Sequence, residues 1–173
     1  MALDQLSSGG KRLRALLALE TGRAMGANDE DTIWWAAAVE LLHNATLIHD
    51  DIQDQDRTRR GNPTLWSEYG EAQAINAGDF MLMLPFVCLA KVTPKFVGPL
   101  SLLLAQVATE VARGQSLELS LPERNELSTE CYWRAAEGKT GALFSLPVVG
   151  AAMLADRPSG DVSELNRVFG HLG

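Results

Sequence analysis

The sequence has few cysteines and lacks both a signal peptide and a long apolar run. Only two cysteines occur in 173 residues, Cys88 and Cys131, and both lie in apolar or aromatic surroundings without metal-ligand spacing. We therefore predict two reduced packing residues of a cytosolic protein, and not a disulfide framework. The N-terminus lacks the apolar stretch of a signal peptide. No run of roughly 18 or more apolar residues occurs, so no membrane-spanning helix is expected.

An excess of positive charge is also missing. The 15 Lys and Arg residues against 22 Asp and Glu residues give a formal net charge of -7. That balance argues against a general nucleic-acid binder or a protein of acidic membrane surfaces, which depend on a basic footprint. The basic residues that do occur are clustered, at Lys11, Arg12 and Arg14 and again at Arg57, Arg59 and Arg60. Local anion sites in an acidic protein fit this pattern.

Alternating apolar and polar residues are nearly absent, whereas apolar residues recur at spacings of three and four, so the fold is predicted to be all-α. The length favours a single domain over residues 1–173. The predicted helices run from Gly10 to near Gly26, from a cap at Asp29 or Asp31 to the aspartates, from near Gly70, from about Leu100 to Leu119, from about Ser128, and from about Val162. "TRRGNPT" and "DRPSGD" are predicted to be breaks, Pro85 a kink or boundary, and Pro147 a bend or an end.

The stretch "HDDIQDQDRTRRG", from His49 to Gly61, places several carboxylates at the end of an apolar helix. Asp50 and Asp54 are four residues apart and share a helix face, a spacing that suits a hard cation such as Mg²⁺ or Ca²⁺. A calcium-binding EF-hand is excluded, because its sixth and twelfth positions would be Gln55 and Gly61, or Arg59 and Leu65. The alternative is a solvated acidic run that the nearby arginines balance.

Two further groups of basic residues could bind phosphate. "GGKRLR" places Lys11 and Arg14 at a helix start after two glycines, which is typical of a diphosphate pocket but also of a helix start made soluble by charge. His43 shares the aspartates' helix face, although a histidine on an apolar stripe is more often a core residue. Arg59 and Arg60 could serve two different phosphates, or form salt bridges with the neighbouring acids.

Polar side chains also interrupt later apolar helices. In "EGKTGALF", Lys139 needs an anionic partner if it is buried, and either a diphosphate or a carboxylate would serve. In "RGQSLEL", Gln115 and Glu118 bring polar atoms to an apolar helix. We interpret Asp79 in "NAGDF" as structural.

Taken in order, these segments resemble the trans-isoprenyl diphosphate synthase (polyprenyl synthetase) family. The resemblance rests on "GGKRLR", on "ELLHNATLIHDDIQDQDRTRRGNPT" with the pattern DDxxDxxxxRRG, and on "AINAGD", "GQSLEL" and "KTGALF". It covers nearly the whole chain and implies an isoprenoid synthase-type helical bundle. In such enzymes an allylic diphosphate ionises with the help of Mg²⁺, isopentenyl diphosphate attacks the cation, and a proton is lost.

The resemblance implies a role for each matching residue. Asp50 and Asp54 would bind Mg²⁺, with Asp51 in support. The allylic diphosphate would be held by Arg59, Lys139 and Thr140, and isopentenyl diphosphate by Lys11, Arg14, His43 and Arg60. Gln115 would also belong to the substrate site. We expect a cytosolic homodimer with no nucleic-acid partner and no stable membrane insertion.

The small residues Ala45 and Thr46, about one turn before Asp50, would let the prenyl chain grow past them. This predicts a product longer than fifteen carbons, of about C20 or more.

The sequence departs from the family pattern in lacking a second DDxxD motif, since only Asp79, Asp156 and Asp161 follow Asp56. It also begins only ten residues before Lys11 and stops at "VFGHLG". We therefore expect a fragment or truncated copy that lacks N-terminal and C-terminal helices. The alternatives are a non-catalytic partner subunit and, ranked last, a class I terpene cyclase, in which Lys11, Arg14 and His43 would have no second diphosphate to bind.

Overall fold

The computed structural model describes residues 10–120, 129, 133 and 136–172, and it confirms an all-α helical bundle. A π-helical turn, Glu137–Gly141, precedes the sixth α-helix, and one short hairpin pairs Thr58–Arg59 (β1) with Asn62–Pro63 (β2) in antiparallel register. The α-helices are α1 Leu13–Met25, α2 Asp29–Gln53, α3 Leu65–Tyr69, α4 Glu71–Leu89, α5 Pro94–Ser120, α6 Ala142–Leu154 and α7 Ser159–Leu172.

The central helix, α2, begins at a different cap from the one predicted. Asn28, and not Asp29 or Asp31, is the N-cap, and its side chain accepts a hydrogen bond from the Asp31 amide at 3.0 Å. The Asp31 carboxylate instead accepts hydrogen bonds from the Thr93 amide and hydroxyl at 2.8 and 2.7 Å. This contact ties the start of α2 to the start of α5.

Two apolar clusters surround α2. The larger one joins α2 to α1, α5 and α6 around the fully buried Trp35, whose indole Nε1 donates to the Pro147 carbonyl at 3.0 Å. The smaller one joins the second half of α2 to α3 and α4, and contains Ile48 and Met81. The end of α2 that carries the aspartates is therefore anchored in packed core.

Several helix boundaries differ from the prediction, and at Pro85 and Pro147 only the boundary alternative is excluded. Helix α5 begins at Pro94 and not near Leu100, because proline is well suited to the first helical position. Pro85 and Pro147 are buried inside α4 and α6 and end neither helix, so packing outweighs their cost in these positions. Helix α7 likewise begins at Ser159, within the predicted loop "DRPSGD".

The break after the aspartates contains more structure than predicted, namely the β1–β2 hairpin and the short helix α3. The third predicted helix does begin beside Gly70, at Glu71. Cys88 is buried and free, as expected, whereas Cys131 and the predicted helix start at Ser128 lie outside the described residues.

Two helices, α4 and α5, are long and apolar enough to cross a membrane by length and composition alone. Buried helices of soluble proteins meet the same criterion, and α4 packs along α2 in the bundle. The expectation of no membrane-spanning helix stays a prediction.

Candidate active site

The C-terminal end of α2 presents the predicted metal ligands on one side of the bundle. Asp54 caps the helix, and its amide donates to the Asp50 carbonyl at 2.8 Å, so the two residues share a face. Asp50 is largely buried, whereas Asp54 is exposed. Among the described residues, no group of three or more His, Cys, Asp or Glu side chains is placed to hold a metal by itself. A cation bound here would need ligands from water or substrate.

Asp51 turns away from that face and is 2% exposed. Arg59 Nε donates to Asp51 Oδ1 at 2.5 Å, and the Arg59 guanidinium is also 3.9 Å from Asp56. For Arg59 the salt-bridge alternative is therefore observed. The contact also fixes the hairpin against the end of α2.

The hairpin is held in place by its neighbours. The Thr64 hydroxyl and the Trp66 indole both donate to the Asp56 carbonyl at 2.7 Å. Its turn residues, Arg60 and Gly61, have φ angles of 53° and 83°. Two positive φ angles are typical of a type I′ turn, which favours Asn or Gly at the first position. Arg60 occupies that position against the usual preference, which is a common feature of functional residues.

Lys139 approaches the aspartates from the π-helical turn. Its Nζ lies 2.8 Å from Glu118 Oε2 and 3.7 Å from Asp50 Oδ2. Burial alone would lower the pKa of Lys139, but the Glu118 hydrogen bond and the charges of Asp50 and Glu118 raise it overall. Lys139 therefore stays protonated at neutral pH. Thr140, its predicted companion, is exposed in the same turn.

Asp50 carries a charge in an unfavourable place. Burial raises its pKa, the charge of Lys139 lowers it, and the neighbouring charge of Asp54 raises it again, with a net increase. A buried carboxylate that opposes a second carboxylate is stabilised by any added cation. We name Asp50, Asp51, Asp54, Arg59, Glu118 and Lys139 the aspartate–lysine cluster.

A second cluster lies further back along α2. Arg14, near the start of α1, places Nη1 3.2 Å from His43 Nε2. Burial and the charges of Arg14, Arg60 and Arg59 lower the pKa of His43 to about 3, so the imidazole is neutral at neutral pH. Since a guanidinium can only donate, Nε2 accepts and the imidazole proton lies on Nδ1. We name Arg14, His43 and Arg60 the arginine–histidine cluster.

Gly10 explains part of the "GGKRLR" pattern. A Cβ added at Gly10 would overlap the guanidinium of Arg60, so the absent side chain makes room for that group. Lys11, the next residue, is exposed. The fold thus brings Arg14, His43 and Arg60 together from α1, α2 and the hairpin.

Gln115 and the two chain-length residues also lie on the helices around this site. Both polar side-chain atoms of Gln115 are buried without a hydrogen-bond partner. Ala45 is fully buried in the apolar cluster between α2 and α4. Thr46 is half-buried and donates its hydroxyl to the His43 carbonyl at 2.8 Å. Four residues before Asp50, Thr46 is the one that shares the Asp50 face.

Two acidic residues were missed as site residues. Glu118 is the direct partner of Lys139, and its position three residues after Gln115 on α5 was the available signal. Glu40 lies three residues before His43, and its Oε2 is buried without a partner. The predicted structural residue Asp79 lies 3.3 Å from His49 Nε2, next to Gly78, whose lack of a side chain admits the imidazole ring.

A large cavity of about 1170 Å³ lies elsewhere, between α5 and α7. Residues of both helices line it, including Gln106, Arg113, Asn166 and His171, whereas none of the predicted site residues does. Cavity volume and predicted chemistry therefore occur in different places, and the arrangement of charged groups is the stronger guide to function.

Comparisons with known proteins agree with the geometry. The family model for polyprenyl synthetase matches residues 1–173. The (2E,6E)-farnesyl diphosphate synthase of Mycobacterium tuberculosis is 35% identical over 165 residues, covering 95% of this chain and 46% of the relative. The geranylgeranyl diphosphate synthase of Methanosarcina mazei is 36% identical over 170 residues, covering 95% and 52%.

The structural comparison gives the same result. A crystal structure of a geranylgeranyl pyrophosphate synthase matches with a TM-score of 0.96 and 30% identity, over 99% of this chain and 53% of that one. The chain spans about half the length of the curated relatives it matches.

Proposed function

Because this chain belongs to the polyprenyl synthetase family, we propose that it forms the diphosphate-binding part of a trans-prenyltransferase. The reaction condenses isopentenyl diphosphate with an allylic diphosphate. The observation that carries this proposal is the presence of two separate clusters of charged side chains. One contains carboxylates suited to a metal, and the other combines arginines with a neutral histidine. A reaction between two diphosphates needs two such sites.

The aspartate–lysine cluster fits Mg²⁺ by the chemistry of its donors. Mg²⁺ prefers oxygen ligands, usually takes one or two carboxylates, and completes its octahedron with water and phosphate oxygens. Asp50 and Asp54 supply two carboxylates on one face, and burial raises the pKa of Asp50, so an added cation would stabilise its ionised form. When bound, Mg²⁺ would neutralise negative charge that develops on a departing diphosphate.

The chain's own cations would act on the same leaving group. Lys139 is protonated and lies beside Asp50, so it can bind the allylic diphosphate once that anion competes with Glu118. The charge of Arg59 on the hairpin also reaches Asp50, and Thr140 follows Lys139 in the π-helical turn. Cations placed beside a leaving group stabilise the negative charge that develops on it in the transition state.

The arginine–histidine cluster would hold isopentenyl diphosphate in place. Arg14 and Arg60 supply positive charge, and His43, with its proton on Nδ1, supplies a neutral donor. Lys11, exposed beside them, would extend the pocket at its rim. Because these groups include no carboxylate ligand for a metal, this site should bind its anion without one. The same second site argues against a terpene cyclase, which has a single diphosphate.

We further propose a product of about C20 or longer. Thr46 shares the Asp50 face and is small, so the growing chain would meet little obstruction one turn below the carboxylates. Ala45 is enclosed by the residues between α2 and α4, so a phenylalanine there would also disturb packing. Thr46→Phe is therefore the cleaner test: shorter products are expected, and an unchanged product distribution would contradict this proposal.

A second copy of the chain is the proposed partner, in the cytoplasm. Helix α4 exposes a stripe of large apolar side chains at a spacing of three and four residues: Phe80, Met83 and Val87. Exposed stripes of this kind typically mark a protein interface. Met83→Glu should shift the sedimentation coefficient to that of a monomer, and an unchanged mass would contradict the assignment to this face.

The function is tested by incubating the chain with labelled isopentenyl diphosphate, an allylic diphosphate and Mg²⁺, and separating products by length. Elongated product that disappears in Asp50→Asn supports the proposal. A parallel calorimetric titration with inorganic pyrophosphate, with and without Mg²⁺, should show one metal-dependent and one metal-independent site. Folded chain that binds no pyrophosphate under either condition would overturn the proposal.

A further inference from the structure

Glu40 is a half-buried acid with one buried carboxylate oxygen, and the proposed reaction leaves it without a role. It lies on α2, one turn before His43, and Asn44 Nδ2 donates to its carbonyl at 2.8 Å and to Oε1 at 3.3 Å. The other oxygen, Oε2, is buried without a hydrogen-bond partner. A buried carboxylate normally has a cationic or hydrogen-bonded partner close by.

Arg14 likewise has a buried polar atom without a hydrogen-bond partner. Its Nη1 contacts His43, but its Nε is buried without a partner. Burial lowers the pKa of Arg14, and the charge of Glu40 raises it again. Arg14 Nε is thus a buried hydrogen-bond donor and Glu40 Oε2 a buried acceptor, and neither has a hydrogen-bond partner. The two side chains are near enough for the charge of Glu40 to act on Arg14.

We propose that Glu40 is a positioning residue for the metal-independent diphosphate site, where it holds the Arg14 guanidinium correctly oriented toward the ligand. This inference rests on the proposed function, because it assumes that Arg14 and His43 bind a diphosphate. Glu40 does not touch the ligand itself. It acts behind Arg14, in the way that outer residues orient the donors of a binding site.

The sign of the effect separates positioning from simple charge. Glu40 is an anion near an anion site, so by charge alone its removal should tighten pyrophosphate binding. If it positions Arg14, removal should weaken binding by about tenfold or more, because Arg14 would no longer be held in place for its charge-assisted contact with the anion. The two explanations thus predict opposite changes in one measurement.

The test is calorimetric titration of the full chain with inorganic pyrophosphate in the presence of EDTA. Glu40→Gln keeps the side chain's shape and an acceptor for Asn44, and is expected to bind at least about tenfold more weakly. Glu30→Gln, an exposed residue in the first turn of the same helix, is the matched control and should bind as the parent does. Tighter or unchanged binding in Glu40→Gln would overturn the inference.

A double-mutant cycle with Arg14→Met tests the role of Glu40 separately from the proposed diphosphate site itself. If Glu40 acts through Arg14, Glu40→Gln should cause no further loss in the Arg14→Met background, whereas a merely structural role would give additive losses. If Glu40→Gln does not fold, Glu40→Asp replaces it and should bind between the parent and Arg14→Met. If Glu40→Asp binds pyrophosphate as the parent does, and the losses in the double-mutant cycle are additive, Glu40 does not position Arg14. If Arg14→Met alone binds normally, the second diphosphate site itself is wrong.

Discussion

In the aspartate–lysine cluster, Lys139 lies between Glu118 and Asp50 at 2.8 and 3.7 Å, whereas in the arginine–histidine cluster Arg14 contacts a histidine that stays neutral. The first cluster has excess negative charge, so under the proposed function it needs a cation before it can hold a diphosphate. The second has excess positive charge, which suits an anion directly. The proposed function therefore gives one chain a metal-dependent and a metal-independent way to bind phosphate.

The strongest test of this contrast is Asp50→Asn. We expect product formation to fall by about a hundredfold or more, because a metal contributes several kcal/mol to such transition states and about 1.4 kcal/mol is tenfold in rate. Metal-free pyrophosphate binding should be unchanged, because the second cluster does not use Asp50. Product assays check the loss of activity, and calorimetry checks the unchanged pyrophosphate binding.

Asp50→Asn should also be at least as stable as the parent. The raised pKa of Asp50 means that folding disfavours its ionised form at neutral pH, so removing the charge removes that cost. Lys139 keeps Glu118 as its partner. A variant that loses both activity and thermal stability would show that Asp50 is structural. The contrast between a metal-dependent and a metal-independent cluster would then be unsupported. Glu110→Gln, on an exposed ion pair, is the control.

Arg60→Asn tests the second cluster in the same way. Asparagine suits the first position of a type I′ turn, so the melting temperature should stay the same or rise slightly. Metal-free pyrophosphate binding should weaken by about tenfold, as expected for loss of one charged donor. Arg113→Gln, an exposed arginine paired with Glu110, is the matched control. Lower stability with unchanged binding would mean that Arg60 serves the hairpin and not the ligand.

The sequence predicted which residues meet better than it predicted how they pair. The period of α2 and the spacing of Asp50 and Asp54 were readable because a helix repeats locally. The partners of Lys139 and Arg59 were not, since a buried cation needs an anion but the sequence does not say which one. Both cations turned out to bind carboxylates of the chain itself, Glu118 and Asp51.

The fold shows the same limit. Pro94 was placed before a helix predicted from about Leu100, yet it opens that helix. Pro85 was predicted as a kink or boundary and Pro147 as a bend or an end, yet both are buried inside helices that continue past them. Their outcome depends on contacts with distant elements, such as the Trp35 indole that donates to the Pro147 carbonyl. Glu40 was missed for a related reason, because only the structure shows that its Oε2 is buried and unpartnered.

The depressed pKa of His43 predicts a pH dependence that the first cluster should not share. The pKa of His43 is about 3 in the folded state, and near its ordinary value of 6.5 in the unfolded state. Between these values the unfolded chain binds the extra proton, so stability falls as the pH drops from 6.5 toward 3. His43→Gln should flatten the slope of unfolding free energy against pH by at most about 1.4 kcal/mol per pH unit. An equal slope in parent and variant would contradict the neutral assignment.

The smallest expected effect comes from Gly10→Ala. The new Cβ would overlap the Arg60 guanidinium, which must move away from the arginine–histidine cluster. Because that guanidinium is the end of a flexible side chain, the displacement costs little stability, and metal-free pyrophosphate binding should weaken by only about threefold, or roughly 0.6 kcal/mol. Gly98→Ala, where an added Cβ meets no atom, should leave binding unchanged. If Gly10→Ala weakens the Mg²⁺-dependent site instead, the two clusters are coupled through the hairpin, since Arg59 and Arg60 are adjacent, and they are then not the independent sites that their charges indicate.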